Sequence, residues 1–145
     1  MIAQAISGAG ALTQAMTTSA SGMRSEATRI RVIAENLANV NSTAATPDGN
    51  PYQRKLITFR QAVDRQTGAA IVEPGAITAD RSPFRVQYDP SNPASNASGY
   101  YKVPNVSELV EQADMREAEH SYEANLDCLT LTRSIITKTL QILKG

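Results

Sequence analysis

The chain has no tryptophan, one cysteine, one histidine, two phenylalanines and no excess charge of either sign. Each shortage closes a route. Without tryptophan and with only five tyrosines, the bulky rings that usually fill a globular core are scarce. The single cysteine, Cys128, excludes an intramolecular disulfide framework and a thiolate-rich zinc site. Set among Leu126, Leu129 and Leu131, it reads as a small buried apolar residue. The single histidine, His120, excludes a two-histidine metal site, and its neighbours Glu117 and Glu123 at helical spacing make a solvated charged face. Lys and Arg balance Asp and Glu at 14 each, so no global field draws nucleic acid or an anionic membrane. No apolar run nears the ~20 residues that span a bilayer. The first residues also lack the basic-then-apolar pattern of a cleaved secretory signal.

Catalytic patterns are missing as well. Gly8 and Gly10 lack the third glycine and the preceding strand of a dinucleotide loop, no G-x-S-x-G elbow occurs, and Asp89 between Tyr88 and Pro90 suits a turn. No enzyme activity, cofactor, metal or small-molecule substrate is expected.

What the chain does have is two apolar stripes at helical spacing, one towards each end. Met16, Ala20, Met23, Ala27, Ile30, Ala34 and Leu37 recur at intervals of four and three, a heptad seam in which large residues alternate with alanine. Met115, Ala118, Tyr122, Leu126, Leu129, Ile136, Leu140 and Leu143 repeat the pattern, interrupted by Arg133 and widened by Cys128, Leu131, Ile135 and Ile142. The spacing predicts one helix from Ile2 or Ala11 to Asn39 and another from Val106 to Leu143. Asn105 or Ser107 can cap the second, with Glu108 and Glu111 favoured in its first turns and Lys138 and Lys144 near its end. Ser19, Ser21 and Gly22 are poor helix-interior residues that permit close packing. The pattern allows a helical hairpin within one chain or helices stacked on neighbours. The apolar arc after Leu126 is wider than a two-helix contact covers, which assigns its surplus face to other subunits.

Between the helices all seven prolines (47, 51, 74, 83, 90, 93 and 104) gather, as two uninterrupted helices require. Turn residues cut this stretch into candidate strands at Gln53 to Phe59, Ala70 to Glu73, Ala76 to Ala79, Phe84 to Tyr88 and Tyr100 to Val103. Asp89 to Gly99, rich in Pro, Ser and Asn, reads as a long surface loop or mobile arm that could reach a neighbouring subunit. The expected fold is mainly α with a small β-containing insertion. Long N- and C-terminal helices pair in a coiled-coil-like core, over residues 1–42 and 106–145, and residues 43–105 form a short-stranded middle domain with a long loop.

The segment Ser19 to Ser42, SASGMRSEATRIRVIAENLANVNS, resembles the N-terminal signature of bacterial flagellar rod and hook proteins. Ser21, Gly22 and Met23, then Asn36, Leu37, Ala38, Asn39 and Asn41, carry the match, and Ser42 stands where a threonine is usual. DGNPYQRK (Asp48 to Lys55), SPFRVQYDPSNP (Ser82 to Pro93), GYYKVPNV (Gly99 to Val106) and DMREAEHSYEANL (Asp114 to Leu126) extend the resemblance towards the proximal rod type. The resemblance implies a structural subunit of the basal-body rod that transmits torque across the periplasm around an export lumen. It implies polymerisation through the terminal helices, with an outer strand-containing domain. Implied partners are copies of itself, other rod proteins, the junction protein linking the rod to the export gate, and the flagellar type III export apparatus, which takes subunits without a cleaved signal. The rival readings are another axial subunit of rod or hook and a cytoplasmic helical adaptor with no flagellar role.

Overall fold

In a computed structural model, the backbone is described for residues 2–144 and the side chains for residues 8–142. Two helices of 37 residues each, α1 (Ile2–Ala38) and α2 (Glu108–Lys144), flank four strands: β1 (Lys55–Val63), β2 (Ala70–Ala79), β3 (Arg85–Tyr88) and β4 (Tyr100–Val103). The expected architecture, two long terminal helices with a small short-stranded insertion, is what the chain adopts. At ~1.5 Å per residue each helix is roughly 55 Å long.

The helix ends follow from local chemistry. At the C-terminal end of α1 the Asn39 side-chain amide donates to Glu35 O (2.9 Å), and the Ser42 amide and hydroxyl both donate to Asn39 O (3.1 and 2.9 Å). These bonds occupy carbonyls that the helix itself leaves without partners. The α2 helix begins with Ser107 O accepting from Glu111 N at 2.9 Å, and Glu108 and Glu111 lie in its first turn. Asn105 is not the cap. Its side chain bonds Arg54 N, Asp80 O and Ser82 instead.

The strands form two separate two-stranded sheets, β1 with β2 and β3 with β4. Ala70–Glu73 and Ala76–Ala79, expected as separate strands, are one strand that runs through Pro74-Gly75. A two-stranded sheet leaves each strand one open edge, where a proline's missing N–H forfeits no ladder bond. Gly75 suits the same place because an added Cβ would fall 2.7 Å from Thr58 Oγ1 and 3.0 Å from Thr58 O on β1. The β1–β2 turn is tied by Asp64 Oδ1, which accepts from Gln66 N (3.0 Å) and from Thr67 N and Oγ1 (both 2.8 Å).

The pairing of β3 with β4 is antiparallel, with Arg85 opposite Val103 and Tyr88 opposite Tyr100. Their connection, expected as a long loop or mobile arm, folds back on itself. Asp89 N donates to Gly99 O and Asn96 N to Tyr100 O (both 2.9 Å), while the side chains of Asp89, Asn92 and Asn96 accept from amides two residues ahead. Gly99 is required by its φ of 81° and by Tyr88 and Pro90, whose atoms an added Cβ would meet at 2.8 and 3.0 Å.

These elements make up two compact units. One contains the described residues up to Thr28, Thr58–Gly75 and Glu117 onwards; the other contains Arg29–Ile57 and Ala76–Arg116. Among the described residues few large side chains are fully enclosed. The buried apolar set is Val32, Ile33, Ala69, Ala94, Val103, Val106 and Ala118, and it sits beside buried Ser19, Ser21, Ser25, Asn36, Glu111 and Thr132.

Candidate assembly surface

In the first unit, α1 holds the β1–β2 hairpin through polar side chains. Gln14 Nε2 donates to Thr67 O (2.8 Å), Thr18 Oγ1 to Ala70 O (2.8 Å) and Ser25 Oγ to Val72 O (3.0 Å), while Ser21 Oγ accepts from Val72 N (3.1 Å). Positions 14, 18, 21 and 25 advance by four, three and four residues, so they share one helix face. A strand at the edge of a sheet presents unpaired backbone groups, and short hydroxyl side chains satisfy them at close range. This polar stripe beside the apolar seam was the signal in the sequence for the hairpin contact. Gly22 marks the close approach of α1 to α2, because a Cβ there would fall 2.7 Å from Asn125 Oδ1. Asn125 is itself tied to Ser121 O at 2.8 Å.

The second unit is organised by Asn36 and Glu111, both enclosed, at 1% and 0% exposure. Asn36 Nδ2 donates to Lys55 O and to Glu111 Oε2 (both 2.9 Å), and its Oδ1 accepts from Lys55 N (2.9 Å) and Tyr52 Oη (2.8 Å). The amide thus pairs with Lys55 as a neighbouring strand would, and all four of its hydrogen-bonding positions are filled. Glu111 Oε1 accepts from Arg54 Nε at 2.5 Å. The Arg54 guanidinium also lies 3.6 Å from Asp80 and 3.5 Å from Asp114, and Asp114 lies 4.0 Å from Arg29. Lys55 Nζ pairs with Glu35.

This cluster shifts ionisation. Burial, with the Glu35 and Glu111 charges added, pushes the Tyr52 phenol up to about 12. Bonds from the Ser82 amide and hydroxyl, then Arg54, hold the Asp80 carboxyl below its usual range. Burial works against the Arg54 charge, but Glu111 and Asp80 outweigh it and keep the guanidinium protonated. The charges pair with one another, so the cluster orders three chain segments. Among the described residues no group of three or more His, Cys, Asp or Glu could hold a metal ion. Tyr52, Arg54 and Asp114 carried no sequence signal for this role beyond their place in the quoted segments.

Of the expected packing residues, Met16, Ala20, Met23, Ile30, Leu37, Met115, Tyr122, Leu129 and Ile136 are half-buried. Ala27, Ala34, Leu126 and Leu140 are exposed, and the Leu143 side chain lies outside the described residues. Ala20, Met23 and Ala27 come together with Tyr122 and Leu129, beside Arg24, around one shallow groove of about 300 Å³ between α1 and α2. Cys128, expected to be buried, is exposed because it lies on the outward face of α2 with Leu131 and Ile135. In the signature, Ser21 and Asn36 carry the contacts given above, Gly22 and Met23 line the helix contact, and Asn39 closes α1. Ala38 and Asn41 are exposed.

No family model matches the chain. Its similarity to the flagellar basal-body rod protein FlgC of Agrobacterium fabrum is 42% identity over 92% of this chain and 96% of that protein. The chain belongs to the FlgC family of flagellar basal-body rod proteins. The FlgC of Salmonella typhimurium is 36% identical over 84% of this chain and 90% of its own, and that of Borreliella burgdorferi 35% identical over 92% and 99%. The resemblance read from the Ser19–Ser42 signature is therefore borne out, and the adaptor reading is set aside. As a basal-body rod protein the chain works alongside other rod components. Among its described residues no helix is long and apolar enough to cross a membrane.

Proposed function

We propose that this FlgC-family chain is a structural subunit of the proximal rod, polymerising through its terminal helices to transmit torque across the periplasm around an export lumen. The observation that carries the reading is apolar surface that one chain leaves uncovered: Leu126, Leu131, Ile135, Leu140 and Ile142 on α2 are all exposed. Leu131, Ile135 and Ile142 share one face at spacings of four and seven, Leu126 and Leu140 share another two heptads apart, and aliphatic faces left in solvent on so long a helix suit packing against other subunits. Ala20, Ala27 and Ala34, with the large residues of both seams, are the packing positions in this reading. Residues 1–42 and 106–145 serve as the core and 43–105 as the outer part. Its role is structural, with no catalytic step assigned. Partners are copies of the chain, adjoining rod proteins and the junction to the export gate, reached through the type III export apparatus without a cleaved signal.

The test is mass spectrometry of stringently washed basal bodies from the source cell. Peptides of this chain retained with the rod and rings support the reading; consistent absence from intact basal bodies overturns it.

A further inference from the structure

Two surfaces of the first unit carry apolar residues beside charges of opposite sign and cannot meet within one chain. The first is the groove lined by Ala20, Met23 and Ala27 of α1 and Tyr122 and Leu129 of α2. Its alanines keep the groove open between larger side chains, and exposed Arg24 is among the residues that line it. The second is the outward face of α2, where Cys128, Leu131, Ile135 and Ile142 are spaced by three, four and seven residues and are all exposed. Only a helix presents knobs at that spacing. Exposed Glu123 and Asp127 stand just before this stripe, opposite in sign to Arg24.

The stripe lies about a third of a turn around α2 from Tyr122 and Leu129, so a chain cannot seat its own stripe in its own groove. We propose that the outward α2 stripe of one copy seats in the α1–α2 groove of the next, with Asp127 and Glu123 meeting Arg24. The two patches differ, so the contact is heterologous and repeats from copy to copy without pairing off. This rests on the rod-subunit reading and goes beyond it by assigning which face of which helix meets which groove. It also gives Cys128 a place: exposed in the single chain, it is covered between copies.

The native thiol makes the contact testable. Ala27→Cys puts a second thiol in the groove, opposite Cys128 of the neighbouring copy. Basal bodies containing this variant are washed, oxidised with copper phenanthroline and separated without reductant. The chain is expected in bands of two and more linked copies that collapse on reduction and vanish when Cys128→Ser is added. Ala20→Cys gives an independent position should Ala27→Cys fail to assemble. In parallel, Arg24→Glu is expected to reduce retention in basal bodies severalfold, and Asp127→Arg in the same chain to restore it. Retention of both thiol variants with only single-copy bands overturns the proposal. So does a ladder that stops at two copies, or a link to a different protein. Absence of the unaltered chain from washed basal bodies instead overturns the rod-subunit reading beneath it.

Discussion

The first turns of α2 bury a charge, whereas its C-terminal turns leave aliphatic side chains in solvent. Glu111, with no exposure, is bonded to Asn36 and Arg54, while Leu131 and Ile142 are 63% and 81% exposed. Burying a carboxylate carries a desolvation cost that only complete pairing offsets, and here both oxygens are paired. Leaving leucine and isoleucine in water forgoes stabilisation that burial would supply. The first turn also leaves Leu109 and Val110 in solvent, at 78% and 49% exposure, so what separates the two stretches is the fully paired charge that the first alone buries. Polar contacts of fixed direction set geometry there. Towards the C-terminus non-directional apolar surface is left for something else to complete.

The sharpest way to break this contrast is to remove the buried charge. Glu111→Ala leaves Arg54 without its closest partner and the Asn36 amide one acceptor short. A loss of about 3 kcal/mol is expected from equilibrium urea unfolding. Glu111→Gln, which keeps the volume and one acceptor, should recover part of it. An unchanged midpoint for Glu111→Ala would mean that the second unit is held by its apolar residues instead. Asn36→Leu comes next. It strands the Lys55 N–H and C=O, so a loss of about 2 kcal/mol is expected in the same measurement. A neutral Asn36→Leu would show that the amide's strand-like pairing is dispensable.

The contrast is sharpened from the other side by Leu131→Ser with Ile135→Ser. Both residues are exposed, so the chain's own stability should move by no more than about 1 kcal/mol for the two together. Retention in washed basal bodies should be lost nonetheless. A comparable drop in unfolding midpoint would mean that the stripe packs within the chain. Undiminished retention would remove the uncovered-surface argument.

The same division explains what the sequence revealed. Both helices and the β-containing insertion were legible, because period 3.6 in the apolar residues and the confinement of proline to the middle are local patterns. The continuous β2 was not, since Pro74-Gly75 normally ends a strand and only the two-stranded pairing tolerates it. Cys128 was misread because it shares with Leu131 an apolar face that the chain itself leaves exposed, so apolar neighbours did not mean burial. Asn36 was visible only as a letter of a signature. Its partners Tyr52, Lys55 and Glu111 lie 16, 19 and 75 positions along the chain, and no local period encodes such distances.

The smallest effect expected concerns Tyr52, whose hydroxyl donates to Asn36 while Glu35 and Glu111 lie close enough to oppose a negative phenolate. Burial and those charges raise its folded pKa from 10.0 to about 12. A folded pKa above the unfolded one means that the native state holds the proton more tightly. The contribution is fully present below the unfolded value of 10.0 and is lost as pH rises through about 12. Stability measured between those limits should therefore decline for the natural chain, and Tyr52→Phe should flatten that part of the slope. Ultraviolet titration should show Tyr52 ionising late, and the same substitution should remove that step. If Tyr52→Phe left the late-titrating ring in place, the phenol would not be facing the Glu111 end of α2, and the account of that end as closed by complete polar pairing would fail with it.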